Sequence, residues 1–368
     1  MYFTTNYHEI LQLIENIDPI KYGKTRNYLN GAVTKLSPYI SRGVISTKQV
    51  ATAILNKGYK PYEIESFLKE LAWRDYFQQV WIAKQHEIDS DLKQQQPDVN
   101  NHKISTAIIS ANTGIEAIDA AIQQLYSFGY MHNHMRMYVA SNCCNIAKSH
   151  WFNPSKWMYY YLLDADWASN ALSWQWVAGS FSNKKYYANQ ENINKYCGTN
   201  QVDTYLDVSY ERIEKIDIPT ELKDLSNPFL KTTLPEKKPF VINENLPAVV
   251  YNFYNLDPIW LKELPCNRIF IVEPSFYKKY PVSDNTINFI LNLSKNISNI
   301  QVFVGEFDEL ASIIGANDIH YKEHPTATHY KGILHKRDWM FEDVTGYFPS
   351  FFSYWKKCER NISKLIID

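Results

Sequence analysis

The chain has 368 residues, with 38 Lys and Arg against 39 Asp and Glu, a formal net charge of −1, 45% hydrophobic and 21% charged residues. This balance excludes a disordered or fibrous chain, and it excludes a protein held on nucleic acid by a global basic field, so any polyanion has to be met by a local patch. The length suffices for a sizeable core and for two domains.

Taken in order, residues Tyr7 to Ile17 read as a short helix stopped at Asp18-Pro19, followed by a loop with turn signals at Gly23, Asn30-Gly31 and Ser37-Pro38. Ser46 is placed to cap a helix through Leu55, and Pro61 opens a long periodic helix, PYEIESFLKELAWRDYFQQVWIAKQHE, on which Glu70, Trp73, Arg74 and Phe77 share a face. The polar segment Asp91 to Asn112 reads as a long surface loop. Helices resume from Gly114 through Tyr126 and from Met131 through Ser149. Asn153-Pro154 supplies an N-cap and a first-turn proline, and Asp166 or Ser169 begins a further helix. From about Leu206 the character changes: Pro219, Pro228, Pro235 and Pro239, with Lys231, Lys237 and Lys238, mark a linker. Beyond it PAVVYNFY, RIFIVE and IQVFVG are short apolar strands, with NTINFILNLSKNI as a helix between the last two, the rhythm of a small parallel sheet.

The five cysteines, Cys143, Cys144, Cys197, Cys266 and Cys358, include no CxxC pair, and an odd count without ligand spacing implies reduced thiols in a cytoplasmic protein. His132, His134 and His150 do not have the spacing of a metal set, so no metal is expected. The start MYFTTNYHEI lacks a basic-then-apolar leader pattern, and no apolar run reaches membrane-spanning length, so no membrane association is expected.

Chemistry concentrates between Gly129 and Phe181. In GYMHNHMRM, Asn133, Arg136 and Met137 fall at i, i+3 and i+4 and put an amide, a fixed cation and a thioether on one helical face. Some thirty residues on, LLDADWASNALSWQWVAGSF adds two aspartates, an asparagine, and Trp174 and Trp176 flanking a glutamine.

GYMHNHMRM with DADWASNALSWQW resembles the flavin-binding catalytic domain of the photolyase/cryptochrome family, most of all its cyclobutane pyrimidine dimer photolyases. Supporting blocks occur in the family's order: Tyr22 and Arg26, VTKLSPYISRG, FLKELAWRDYF and TGIEAIDAAIQQL. The resemblance covers roughly residues 1 to 200. It implies a mostly α protein: an all-helical FAD-binding domain over 1–205, a linker over 206–238, and a smaller α/β domain with a short parallel sheet over 239–368. Most family members begin with an α/β antenna domain. Here the helical part starts at Met1, and the C-terminal α/β segment is weakly similar to part of that domain, as a relocated remnant. The identity of any second, antenna chromophore is left unknown.

The resemblance also implies residue roles. Tyr22, Thr34, Leu36, Ser37 and Arg74 would meet the phosphate or adenosine side of FAD, although Val33 stands where the family pattern has a further hydroxyl. Asn133 and Arg136 would lie along the flavin, with Arg136 paired to Asp164. Asp166 would face the ribityl chain or the imide edge, and Asn170 would sit near N5. Glu70, Trp73, Asn133, Met137 and Trp176 would line the pocket for a flipped pyrimidine pair, with Glu70, Asn133 and Asn170 in catalytic roles. Trp174 and Trp151 match the inner two members of an electron-transfer chain, whereas the outermost aligns near Asp98, with Trp157, Tyr159 or Trp81 as substitutes. The implied activity is light-driven splitting of pyrimidine dimers in DNA by a monomer. The alternative is a cryptochrome-like blue-light photoreceptor with the same flavin and no repair.

Overall fold

The computed structural model describes residues 3–314 and 318–366. The chain divides into two compact units, one formed by residues 1–20, 34–83 and 231–368, the other by residues 21–33 and 84–230. This division runs differently from the one the resemblance implies, in which residues 1–205 form a single domain. The reason lies on the helix Glu65–Lys84, one side of which is spoken for by the chain beyond residue 336. The Asp75 carboxylate accepts from Met340 N at 2.8 Å and from Thr47 Oγ1 at 3.0 Å. Gln79 Oε1 accepts from Gly346 N at 2.9 Å, Gln78 Oε1 accepts from Arg337 at 2.7 Å, and Tyr76 donates to Phe348 O at 3.3 Å. A helix whose buried face carries Asp, Gln and Gln needs partners with backbone groups to offer, and the C-terminal segment supplies them.

Within the same unit lies a five-stranded parallel sheet. Strands β1 (Ile104–Ser105) and β2 (Leu225–Ser226) form a short antiparallel pair in the helical unit. The sheet itself comprises β3 (Ala248–Tyr251), β4 (Asn267–Val272), β5 (Gln301–Val304), β6 (Ile319–Lys322) and β7 (Ile333–His335) in the order β5-β4-β3-β6-β7. β3, β4 and β5 are the three expected strands, and the helix Asp284–Ser294 lies between β4 and β5 as the pattern required. β6 and β7 are additions: they are only four and three residues long, and β7 is largely exposed, so neither shows an apolar run. The strand order reverses at β3 and β6, the place where open α/β sheets receive ligands beyond their strand ends. Here that place is filled by the protein, since Tyr254 stacks on His324 at 4.1 Å and Trp81 packs edge-on to the same imidazole.

The helical unit is built from helices whose ends follow local chemistry. Asp166 caps Trp167–Ala178 by accepting from Ser169 N at 2.8 Å. Glu116–Phe128 ends at Gly129, which has φ of 65° and no room for a side chain, because an added Cβ would lie 2.6 Å from Leu163 Cγ. Three expectations change. Pro19–Thr25 is helical rather than loop. Asn133–Ser141 gives way at Asn142–Ile146 to a wider π turn instead of continuing to Ser149. The helix Phe152–Tyr161 is capped at Trp151, while Asn153 donates to His102 O at 2.5 Å. Among the described residues no helix is long and apolar enough to cross a membrane.

Asp75 gives the first unit a measurable pH signature. Burial raises its carboxyl pKa from 3.8 to about 6, against the opposing effects of the Met340 N–H, Arg337, Thr47 and Arg74. The folded protein therefore holds a proton that the unfolded chain releases. That contribution to stability is fully present below pH 3.8 and is lost as pH rises through about 6, a swing of about 3 kcal/mol. Asp75→Asn is expected to remove the swing, so that the variant gains stability relative to the parent between pH 4 and 7 in urea titrations. A difference independent of pH would assign the titration elsewhere.

Candidate cofactor and substrate site

The expected site residues fall in both units. Tyr22, Asn133, Met137, Arg136, Asp164, Asp166, Asn170, Trp151, Trp174 and Trp176 belong to the helical unit, and Thr34, Leu36, Ser37, Glu70, Trp73 and Arg74 belong to the unit that holds the sheet.

In the helical unit the helix Asn133–Ser141 starts at His132, whose Nδ1 accepts from His134 N at 3.2 Å. His132 is buried, its Nε2 has no hydrogen-bond partner, and burial pulls the imidazole down to about 4, so it is neutral at pH 7. One turn on, Arg136 donates from Nε to Met131 O at 2.9 Å and from Nη2 to Asp164 Oδ2 at 3.0 Å. The pairing expected from sequence is thus present, and with the Asp164 side chain only 8% exposed it is a largely desolvated ion pair. Asn133 is exposed and Met137 half-buried.

The helix Trp167–Ala178 carries the other polar groups inward. Asp166 is buried and Asn170 is only 9% exposed, which removes a solvent-facing role for that amide; its Nδ2 donates to Ser155 O at 2.8 Å, fixing which way the amide points. Between them the Ser169 hydroxyl is buried without a hydrogen-bond partner. Trp174 is buried. Trp176 is 41% exposed, with Tyr186 against its ring at 5.8 Å.

Gln175, to which sequence reasoning gave no role, is fully buried between the two indoles. It donates to Ile88 O at 2.9 Å and accepts from Leu92 N at 3.0 Å, clamping the segment that follows the long helix. That segment was expected to be a surface loop; from residue 90 to 103 it holds neither helix nor strand and is largely exposed, while Ile104–Ser105 is a strand and Thr106–Ile109 a short helix, and buried side chains anchor it. Gln96 is buried, donating to Ser149 O and accepting from Trp151 N, both at 2.9 Å, while Asp91 accepts from the Trp151 indole at 2.8 Å. The polarity of residues 91–112 reflects side chains that tie the backbone down, and composition does not separate that from solvation. Lys185 pairs with Asp98 at 2.7 Å, near which the family pattern would place its outermost electron-transfer tryptophan.

In the other unit, Thr34 Oγ1 accepts from Leu36 N at 3.4 Å, Lys35 has φ of 56°, and Ser37 opens the helix Ser37–Ser41, with Leu36 buried. Glu70, Trp73 and Arg74 are half-buried on the helix Glu65–Lys84. Trp73 is stacked on Phe351 with centroids 3.8 Å apart and planes at 10°, and Tyr76 and Phe77 pack at 5.6 and 5.2 Å. One face of Trp73 is therefore taken by the C-terminal helix Phe351–Cys358.

Residues 67–213 match the family model described as the FAD binding domain of DNA photolyase. Over this stretch the chain is similar to that domain of the DNA photolyases. The chain is 33% identical over 148 residues to a deoxyribodipyrimidine photo-lyase of Alkalihalophilus pseudofirmus, covering 39% of this chain and 31% of that one. It is 34% identical over 182 residues to a protein of the same name from Agrobacterium fabrum, covering 45% and 37%. A chloroplastic/mitochondrial cryptochrome DASH of Ostreococcus tauri is 31% identical over 170 residues, covering 43% and 30%. The chain thus spans about a third of the length of these relatives.

The cofactor of the photolyase-type domain is FAD, and the residues present fit a flavin. An isoalloxazine ring presents an imide N–H and carbonyl oxygens along one edge. The buried carboxylate of Asp166, the oriented amide of Asn170, the Arg136 cation and the Ser169 hydroxyl without a protein partner offer acceptors and donors for such a group.

Proposed function

We propose that this protein is a light-driven, FAD-dependent lyase that splits cyclobutane pyrimidine dimers in DNA, acting as a cytoplasmic monomer. Bound reduced flavin supplies, on absorbing light, the electron that opens the cyclobutane ring. The chain's own residues orient and insulate. Asp164 holds Arg136 along the cofactor, Asp166 and Asn170 meet its polar edge, and the neutral amide of Asn170 accommodates a change of flavin charge without adding its own. Tyr22, Thr34, Leu36, Ser37 and Arg74 take the phosphate and adenosine side. Trp176, the exposed indole of its helix, gives a flipped base a surface on which to stack, with Asn133 and Met137 beside it on the substrate side. Glu70 hydrogen-bonds the base carbonyls and supports the charge placed on them. The observation that carries this reading is the buried Arg136–Asp164 pair together with the inward amide of Asn170.

A specific observation favours the second reading, a blue-light photoreceptor without repair. Trp73, the other indole assigned to the pyrimidine pair, already has an aromatic ring on one face. The deciding measurement uses fully reduced protein with a thymine-dimer oligonucleotide, single- and double-stranded, under blue light. Restored thymines with light and none in the dark are expected. Fully reduced protein that restores none of them would leave the photoreceptor.

A further inference from the structure

Trp151 is fully buried, yet its indole N–H is not left to the core. It donates to Asp91 Oδ1 at 2.8 Å, and His150 Nε2 lies 3.3 Å from the same oxygen. The Phe152 N–H donates to His150 Nδ1 at 3.3 Å, which puts the imidazole proton on Nε2 and makes His150 a second donor to Asp91. Asp91 Oδ2 accepts from Gln96 N at 2.9 Å, and Gln96 in turn accepts from the Trp151 backbone. Indole and carboxylate are thus locked at hydrogen-bond distance from both sides. The Asp91 and His150 side chains are 18% and 17% exposed and line a cleft of about 500 Å³ together with Asp89, His102 and Asn153.

An indole N–H is a very weak acid in its ordinary state, but one that has lost an electron is a cation that gives up this proton readily. A carboxylate already holding the proton by a short hydrogen bond takes it with no rearrangement. We propose that Asp91 is the proton acceptor for oxidised Trp151, so that the electron path ends at Trp151 and needs no outer tryptophan. This rests on the resemblance described above, which implies that Trp174 and Trp151 are the inner members of an electron-transfer chain to the flavin; the acceptor here is the oxidised flavin once it has absorbed light. In the step one electron leaves Trp151 by way of Trp174 for the flavin, the indole N–H bond breaks, and an O–H bond forms on Asp91. Trp151 is left a neutral radical and Asp91 a neutral acid, which re-equilibrates with solvent through the cleft. Return of the electron then requires return of the proton as well, which keeps the charges separated.

Trp167 provides an internal comparison, since its indole donates to Asp89 at 2.7 Å beside the same cleft. The test uses purified, oxidised flavoprotein of the parent, Asp91→Asn, Asp89→Asn and Trp151→Phe, with transient absorption after a blue flash, because the tryptophan cation radical absorbs to the red of the neutral radical. The parent and Asp89→Asn should yield the neutral radical. Asp91→Asn should hold the cation and shorten the lifetime of charge separation at least about tenfold, and Trp151→Phe should yield no neutral radical, only a short-lived cation on Trp174. A readout independent of flavin is the indole ¹H–¹⁵N resonance that disappears in Trp151→Phe, which should shift in Asp91→Asn and stay in place in Asp89→Asn. A parent that forms a tryptophan radical whose proton loss is unchanged in Asp91→Asn overturns the proposal alone. A parent that forms no light-induced radical overturns it together with the electron-transfer reading.

Discussion

Replacing Asp164 with alanine is expected to strip the protein of FAD and to lower the stability of the helical unit by about 2–4 kcal/mol. Asp164 is nearly buried and holds the Nη2 of Arg136 at 3.0 Å, while Nε of the same guanidinium is held by Met131 O. Removing the carboxylate leaves a cation with little water to compensate it, and a fully buried pair broken in this way costs ~3–5 kcal/mol. The Arg136 side chain is 22% exposed, which places the effect toward the lower part of that range. Asp164→Asn keeps an acceptor at the same place and should fall between parent and alanine. FAD released on denaturation and the thermal midpoint together check the prediction. Glu70→Ala is the matched control, expected to keep FAD and lose repair. Equal FAD loss in both would make Glu70 structural, and full FAD in Asp164→Ala would remove Arg136 and Asp164 from the cofactor.

Phe351→Ala is expected to cost the sheet-containing unit about 3–4 kcal/mol. Phe351 is 3% exposed and touches Trp73, Tyr76, Trp355 and Tyr354 with its ring. Truncation leaves a cavity where a near-parallel stack had been, adding the lost ring–ring term of ~0.5–1.5 kcal/mol to the lost burial. Phe351→Tyr keeps the stack and should stay close to the parent. The same pair of variants separates the two functional readings by a different route. If Trp73 serves a base, uncovering its face in Phe351→Ala should not diminish repair per folded molecule. Thermal unfolding and dimer repair at a temperature where both variants are folded make the comparison. An unchanged midpoint in Phe351→Ala would mean that the stack does not hold the C-terminal helix.

The parts of the molecule legible in its residues are those in which local chemistry and long-range packing agree. Ser46 accepts from Gln49 N and caps its helix as its position implied, Asp166 does the same for the helix of Trp174 and Trp176, and the apolar runs at 248–251, 267–272 and 301–304 form neighbouring parallel strands. The Arg136–Asp164 pair was legible through the resemblance, which implied it, and a largely desolvated guanidinium does call for a carboxylate. Asp91 was not. In a run of Asp, Gln and Asn nothing distinguishes a carboxylate in solvent from one that accepts the N–H of an indole sixty residues away. Gln175 was hidden for a similar reason, since an amide between two tryptophans carries no signal of which backbone it will grip.

By itself the sequence determined the helical character of the first two hundred residues, the parallel strands beyond residue 239, and the resemblance to the photolyase/cryptochrome flavin domain, because hydrophobic period, caps and motif spacing are local properties. Tertiary structure alone decided the grouping of the chain into units, the stacking of Phe351 on Trp73, and the hold of Asp91 on Trp151. Each rests on contacts between residues far apart in the chain, and no local pattern says which of them will meet. Their partners are chosen by which surfaces the packed helices bring together.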